Sequence, residues 1–297
     1  MKPRSPSVRR KLLYLVLAAT APLVLAITIA VVAMGFRIWR NSISSIEDRT
    51  TMLHQAVDTT LRESIVGYLT AKTETALTTI EMIERTSDHL AGNPLIDLIA
   101  QHLLSTRVAR SGYIYVIDSD GHVVIHPDEE TQGRVIPEIE PIKTQLEMKN
   151  GYIEYTWQNS FEPLPLPKAL HMAEYSPRGW IVSATAYREE FVDLVDLSRL
   201  ENLVAAYATD STSYSVVVDR AGTFIVHPDY PGRVIQEFFD APESERIMEL
   251  LFSAPAGQVR YSWPDAVTGE RHPKILVFRY MPDFDWSIAT TIDMRTL

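Results

Sequence analysis

Two stretches of this chain are near copies of each other. Gly121–Ile136 reads GHVVIHPDEETQGRVI, and Gly222–Ile235 reads GTFIVHPDYPGRVI. Asp118, Gly121, His126 and Pro127 correspond to Asp219, Gly222, His227 and Pro228, all 101 residues apart. Further on, Gly151, Tyr155, Trp157, Lys168, Trp180 and Thr185 correspond to Gly257, Tyr261, Trp263, Lys274, Trp286 and Thr291, all 106 residues apart. A gapless run of six identities that includes two tryptophan pairs marks an internal duplication. A duplication constrains the fold more than any local propensity does, because whatever one copy folds into the other must fold into as well.

Hydrophobic periodicity says what each copy is. In GYIYVID, Tyr113, Tyr115 and Ile117 alternate with Ile114, Val116 and Asp118, the period of a strand. Ser119-Asp120-Gly121 turns the chain, with glycine supplying the positive φ of a tight hairpin. HVVIHP returns as a second strand that Pro127 ends, since proline cannot donate to a ladder. SYSVVVD, a turn closed by Gly222 and TFIVHP repeat the pattern. Each unit, about 85–100 residues long, then reads as a short helical segment followed by three more strands. The expected class is α+β: two tandem antiparallel-sheet modules behind a long helical region.

Leu12–Phe36 carries no charge over 25 residues, enough helix to cross a bilayer core of about 30 Å with some tilt. It is longer than the apolar region of about 7–15 residues in a cleaved signal peptide. Lys2, Arg4, Arg9, Arg10 and Lys11 precede it, so the positive-inside rule keeps residues 1–11 in the cytoplasm and sends the bulk of the chain outside, in a bacterium to the periplasm. Of 28 Lys and Arg those five belong to the tail, leaving 23 against 38 Asp and Glu, a balance that argues against nucleic-acid binding. From Asn41 to Leu104 the chain reads as helix, interrupted at Gly92-Asn93-Pro94. Ile46, Leu53, Val57, Leu61, Ile65 and Leu69 form one apolar face. That stripe must be buried, either on the chain's own modules or on a second copy in a homodimer.

GYIYVIDSDGHVVIHPDEETQGRVI, followed by GYIEYTW, Pro167-Lys168 and GWIVSATAY, resembles the Cache sensor domains, PAS-like extracytoplasmic ligand-binding modules of bacterial transmembrane receptors. Two modules after a long helix resemble the double-Cache arrangement, over roughly Asn41–Leu297. The resemblance implies a transmembrane helix at 12–36, a signalling and dimerisation helix at 41–104, a membrane-distal module at 105–192 and a membrane-proximal one at 193–297. It implies a small-molecule sensor region of a chemoreceptor, sensor kinase or cyclase. The alternative is a membrane-anchored periplasmic binding protein with no output domain of its own. The sequence ends at Leu297 without a second apolar span, so a piece of a longer receptor and a standalone anchored sensor both stay open.

Strand parity narrows the ligand-binding residues. On the second strand it groups His122, Val124 and His126; on the third, Ile153, Tyr155 and Trp157; on the fourth, Lys168 falls in step with Leu170 and Met172. A lysine on an apolar face needs a partner or a wet pocket. The reading is an apolar, aromatic-walled site for a small organic ligand, a carboxylate or an amino acid, with Lys168 as the cation. Tyr115, Tyr155 and His126 are its hydrogen-bonding candidates, and Trp157 is a wall. The resemblance points to the same ligand class. Against these assignments, Trp157 and Trp180 read more readily as core, and the repeated histidines as groups that satisfy the backbone where each strand ends. The alternative for Lys168 and Lys274 is side chains whose stems are buried and whose heads reach water. His122 and His126 lie roughly 13 Å apart on a strand, too far to share one metal, and His171 has the opposite parity to Lys168. No nucleotide, metal or hydrolase motif is found, so no cofactor, metal or catalytic residue is assigned, and any enzymatic output would lie beyond residue 297.

Overall fold

The computed structural model describes residues 8–87, 89–158, 164–208, 213–264 and 268–296, with side chains from Thr20 onward except those of Ala21 and Asp193. The basic residues at 2, 4, 9, 10 and 11 lie outside the described side chains. One helix, α1 (Val8–Thr86), runs unbroken through Pro22 and past the end of the apolar run. At 1.5 Å per residue it is about 120 Å long. Its described portion from Pro22 is long and apolar enough to cross a membrane, and residues 22–36 are exposed. Gly92, at a φ of 64°, precedes α2 (Asn93–Ser105).

Two five-stranded antiparallel sheets follow. The first contains β1 (Tyr113–Asp118), β2 (Val123–Ile125), β3 (Gly151–Trp157), β4 (Leu166–Tyr175) and β5 (Trp180–Tyr187), with α3 (Glu140–Met148) between β2 and β3. After α4 (Leu197–Ala206) come β6 (Ser213–Asp219), β7 (Phe224–Val226), α5 (Ala241–Ser253), β8 (Ala256–Pro264), β9 (Arg271–Met281) and β10 (Trp286–Asp293). The strand orders are β2-β1-β5-β4-β3 and β7-β6-β10-β9-β8, the same topology twice. The chain is α+β, with two PAS-like modules in tandem, as the duplication required.

The repeated motif has a backbone purpose. Gly121 and Gly222, with φ of 77° and 87°, close turns in which their N–H donates to Asp118 and Asp219 carbonyls at 3.1 and 3.0 Å. A β-carbon on Gly121 would meet Pro137 at 3.0 Å, so only glycine fits there. The Gly-Arg-Val-Ile element then folds back along the hairpin. Val123 donates to Arg134 and Gly133 to Val123, at 2.8 and 2.9 Å; Phe224 donates to Arg233 and Gly232 to Phe224, at 2.9 and 2.8 Å.

Each sheet has two buried faces. Val182 and Ala184 of β5 and Ile288 of β10 share one core with the α1 stripe of Leu53, Val57, Leu61, Ile65 and Leu69, and Ile114 and Val116 of β1 and Val217 of β6 extend that core beneath α2 and α4. Those stripe residues are at most 2% exposed. The stripe is therefore buried within its own chain, and it is not available to a second copy. Arg188, just past β5, joins the modules: it donates to Glu154 at 2.6 Å and pairs with Asp283 of the β9–β10 turn at 2.8 Å.

Candidate functional site

The outer face of the first sheet, beneath α3, gathers side chains from all five strands. Antiparallel register aligns Tyr155, Lys168 and Tyr187 in one row across β3, β4 and β5, and Leu170, Thr185 and Tyr113 in the next. The cavity there, about 40 Å³, is lined by Tyr113, Tyr115, His126, Tyr155 and Trp157, and closed by Ile142 of α3 among others. Four of the five residues singled out in the sequence, Tyr115, His126, Tyr155 and Trp157, thus share one cavity. Lys168 is not among its walls. It lies behind Tyr113, 1% exposed, its Nζ 4.8 and 4.5 Å from the ring centres of Tyr113 and Tyr187 and 3.5 Å from the Tyr113 hydroxyl. Its head does not reach water; the tyrosine faces replace part of its hydration with cation–π attraction, worth about 2 kcal/mol each when desolvated.

The polar groups are already engaged. The Tyr115 hydroxyl and Ser183 Oγ both donate to Gln145 Oε1, at 3.0 and 2.8 Å, and Gln145 Nε2 donates to the Pro141 carbonyl at 2.9 Å. The Tyr155 hydroxyl shares a 2.9 Å hydrogen bond with Thr185. Burial pushes both tyrosine hydroxyls well above their ordinary pKa, so both stay protonated donors. His126 Nδ1 accepts the Asp128 N–H at 3.0 Å, and burial lowers the ring's pKa. His126 therefore does both things the sequence allowed: it satisfies the backbone at the end of β2 and it walls the cavity.

Strict alternation misgrouped the second strand. Val116 pairs with Ile125 and Ile117 with Val123, so Val124 is an unpaired bulge. The extra residue shifts the phase, and Val123, not Val124, joins His126 in the cavity. His122 instead faces Asp118, with Nδ1 3.4 Å from Oδ2. Trp180 is core, 5% exposed, while Trp157 is a partly exposed wall. Gln145, Ser183, Thr185 and Tyr187 were not singled out from the sequence. The last three share one parity on β5, a signal that was present; Gln145 sits in α3, where only its i+3 spacing from Ile142 hints at burial.

The second module keeps the frame and changes the lining. Lys274 Nζ sits 4.6 Å from the Tyr214 ring and 3.4 Å from its hydroxyl, and the Tyr261 hydroxyl meets Thr291 at 2.6 Å. Val216 and Ala289 stand where the first module has Tyr115 and Ser183, and Leu251 and Ile247 of α5 close the cavity without a polar group. Trp263 is stacked with Phe238 at 4.8 Å and with His227 at 5.8 Å. That cavity, about 30 Å³, differs from the first in its lining rather than in its size. Burial and the nearby Lys274 cation lower the His227 pKa to about 4.

The sequence model of the family described as Cache domain matches residues 33–297. A comparison with curated proteins finds no match. Among solved structures, the chain is similar to the ligand-binding domain of Mlp24 with asparagine, at 16% identity and a TM-score of 0.36, covering 86% of this chain and 96% of that one. It is similar to the ligand-binding domain of the Pseudomonas fluorescens chemoreceptor CtaA with L-alanine, at 18% identity and a TM-score of 0.30, covering 86% and 96%. It is similar to the extracellular domain of the histidine kinase mmHK1S-Z3, at 12% identity and a TM-score of 0.37, covering 86% and 94%. With TM-scores below 0.5, these likenesses leave the family match to carry the assignment.

Proposed function

The chain belongs to the Cache domain family, and from that premise we propose that it is the extracytoplasmic small-molecule sensor region of a bacterial transmembrane signalling receptor. Residues 1–11 are its cytoplasmic tail and 12–36 its span. The module at 105–192 is membrane-distal and the module at 193–297 membrane-proximal. Packing along α1 supports that order: Ile43 and Ile46, next to the apolar run, contact Ile275 and Val277 of the second sheet.

The observation that carries the reading is the buried ammonium of Lys168 behind an aromatic cavity lined by the hydroxyls of Tyr115 and Tyr155, which Gln145 and Thr185 hold from behind. Such a set suits a small carboxylate or amino acid. The second module offers no counterpart to Tyr115, Gln145 and Ser183, which supports the first as the binding module and the second as a relay. The cavity as it stands holds about one water, so binding requires the Ile136–Ile142 wall and the Tyr113 ring to move outward, bringing Lys168 into contact with the ligand. A shift of β5 would then be transmitted through Arg188 to Asp283 and through the packed sheet face to α1. A homodimer is part of this reading and uses the exposed face of α1, including Met52, Gln55, Thr59 and Gly67, because the apolar face is occupied.

A thermal-shift screen of the full chain in nanodiscs against small carboxylates and amino acids tests the proposal. A ligand at 100 times its Kd stabilises by about 2.7 kcal/mol. Lys168→Ala should abolish that rise and Lys274→Ala should leave it intact. A rise lost in Lys274→Ala but kept in Lys168→Ala would move the site to the second module, and a rise kept in both would remove the lysines from recognition.

A further inference from the structure

The membrane-facing end of the second module has a geometry that follows from its register on α1. Gln258, which pairs with Val277, donates to Glu47 at 2.7 Å, and Arg279 donates to Thr51 at 2.8 Å. Two strand residues, about 6.6 Å, thus correspond to four helix residues, about 6 Å. Strand β9 and helix α1 climb side by side in the same direction at nearly the same rate. Running back from Val277 to Arg271, where β9 begins, covers about 20 Å, or about 13 residues of helix. That puts the start of β9 level with the last turn of the apolar run that ends at Phe36. The start of β9 thus lies beside the end of the apolar run.

The residues at that level suit an anionic surface. The Arg260 guanidinium lies over the Trp39 ring at 5.9 Å, just beyond the apolar run and beside Arg37 and Arg40 in sequence. Tryptophan settles at the headgroup level, and arginine near a helix end extends its charge to it. Arg260, Arg271 and Arg246 line an open groove of about 790 Å³. Arg271 is fixed by donating to the Ser262 and Phe238 carbonyls at 2.7 and 3.0 Å, which orient its charge without cancelling it. Arg246 is neutralised by Glu243 at 2.8 Å, and Asp240, also in the groove, is turned to cap α5 by accepting the Glu243 N–H. Arg260 has no ion pair among the described residues. This cluster stands in a chain with 38 acidic residues against 28 basic ones.

We propose that the β8–β9 end of the second module is a docking surface for anionic phospholipid headgroups, with Arg260 and Arg271 contacting phosphate and Trp39 anchoring the interface. The proposal rests on the reading that α1 spans the membrane. Each juxtamembrane arginine near an anionic surface favours the bound position by about fivefold at low salt, so lipid composition would bias the resting position of the hairpin.

The test uses the full chain carrying Thr268→Cys, its one cysteine, labelled with a fluorophore and placed in nanodiscs that contain a headgroup-spin-labelled lipid. Quenching should be at least twofold greater in phosphatidylcholine with 30% phosphatidylglycerol (about one lipid in three) than in phosphatidylcholine alone. Half-molar salt should remove the difference, as should Arg260→Gln combined with Arg271→Gln. Arg260→Gln by itself, at an exposed side chain that holds no structural hydrogen bond, should remove part of it while leaving the melting temperature unchanged. Equal quenching in the two lipids, or a phosphatidylglycerol effect that survives the double substitution, overturns the proposal. Inorganic phosphate that shifts the probe in neutral nanodiscs and abolishes the lipid effect overturns it in favour of a soluble-anion site. Retention of the chain on neutral vesicles through an alkaline wash is scored separately. Its failure refutes the span, while retention without lipid-dependent quenching refutes the docking surface alone.

Discussion

Replacing His227 by Asn should remove a defined part of the chain's acid sensitivity. The ring is 5% exposed and stacked with Trp263. Its Nδ1 accepts two backbone N–H groups, from Asp229 at 3.0 Å and Tyr230 at 3.1 Å. A proton on Nδ1 would face both donors, in a desolvated site with the Lys274 ammonium nearby. Burial and that cation hold the folded-state pKa at about 4 against an ordinary 6.5. Above pH 6.5 both folded and unfolded states are neutral at this residue, and it contributes no pH dependence. Between pH 6.5 and 4 only the unfolded chain takes the proton, so stability falls with falling pH by about 1.4 kcal/mol per unit. At pH 5 the loss is about 2 kcal/mol, and it levels off at about 3 kcal/mol below pH 4. For a chain of this size 2 kcal/mol is about 4–8 °C in Tm. Asn offers an acceptor near the Nδ1 position and cannot titrate. The Tm of the full chain minus that of His227→Asn should therefore fall by about 4–8 °C between pH 7 and pH 5, since all other titrations are common to both. Lys274→Met should narrow the window by raising the His227 pKa. Parallel pH profiles for the chain and His227→Asn would refute the reasoning.

Arg188→Gln should cost about 2 kcal/mol, less than a fully buried pair because Glu154 and Asp283 are 22% and 36% exposed and Glu154 keeps Arg62 at 2.9 Å; a double-mutant cycle with Asp283→Asn should show coupling of about 1 kcal/mol, and zero coupling would mean that this contact does not join the modules. Single cysteines along α1 should crosslink two copies at exposed positions such as Gln55 and Thr59 and not at Leu53 or Val57; the reverse pattern would mean that α1 leaves its own sheets. A periplasm-dependent reporter fused after residue 105 should be active, and an inactive one would invert the proposed topology.

The architecture was legible because duplication and alternation are properties of the chain itself. Asp118-Gly121 and Asp219-Gly222 mark turns whose backbone only glycine allows, and parity put Tyr113 with Tyr115 and Lys168 with Leu170 on one face of their own strands without reference to any other strand. Parity fails where the count of residues no longer equals the count of pairs. The bulge at Val124 is invisible in HVVIHP, because an unpaired residue exists only relative to a partner strand. The same limit governs Lys168: the sequence gives the face it points from, but its depth of burial is set by Tyr113 and Tyr187, brought against it by strands distant in the chain. Gln145 became part of the site only when α3 docked over the sheet. The α1 stripe shows the division most plainly. Leu53, Val57, Leu61, Ile65 and Leu69 had to be buried, since five large apolar side chains on one helical face cannot face water without a cost of about 1.5–3 kcal/mol each. The hydrophobic effect has no direction, so the sequence determined that this face is covered, and only the packed sheets decided that the cover is the chain's own two modules.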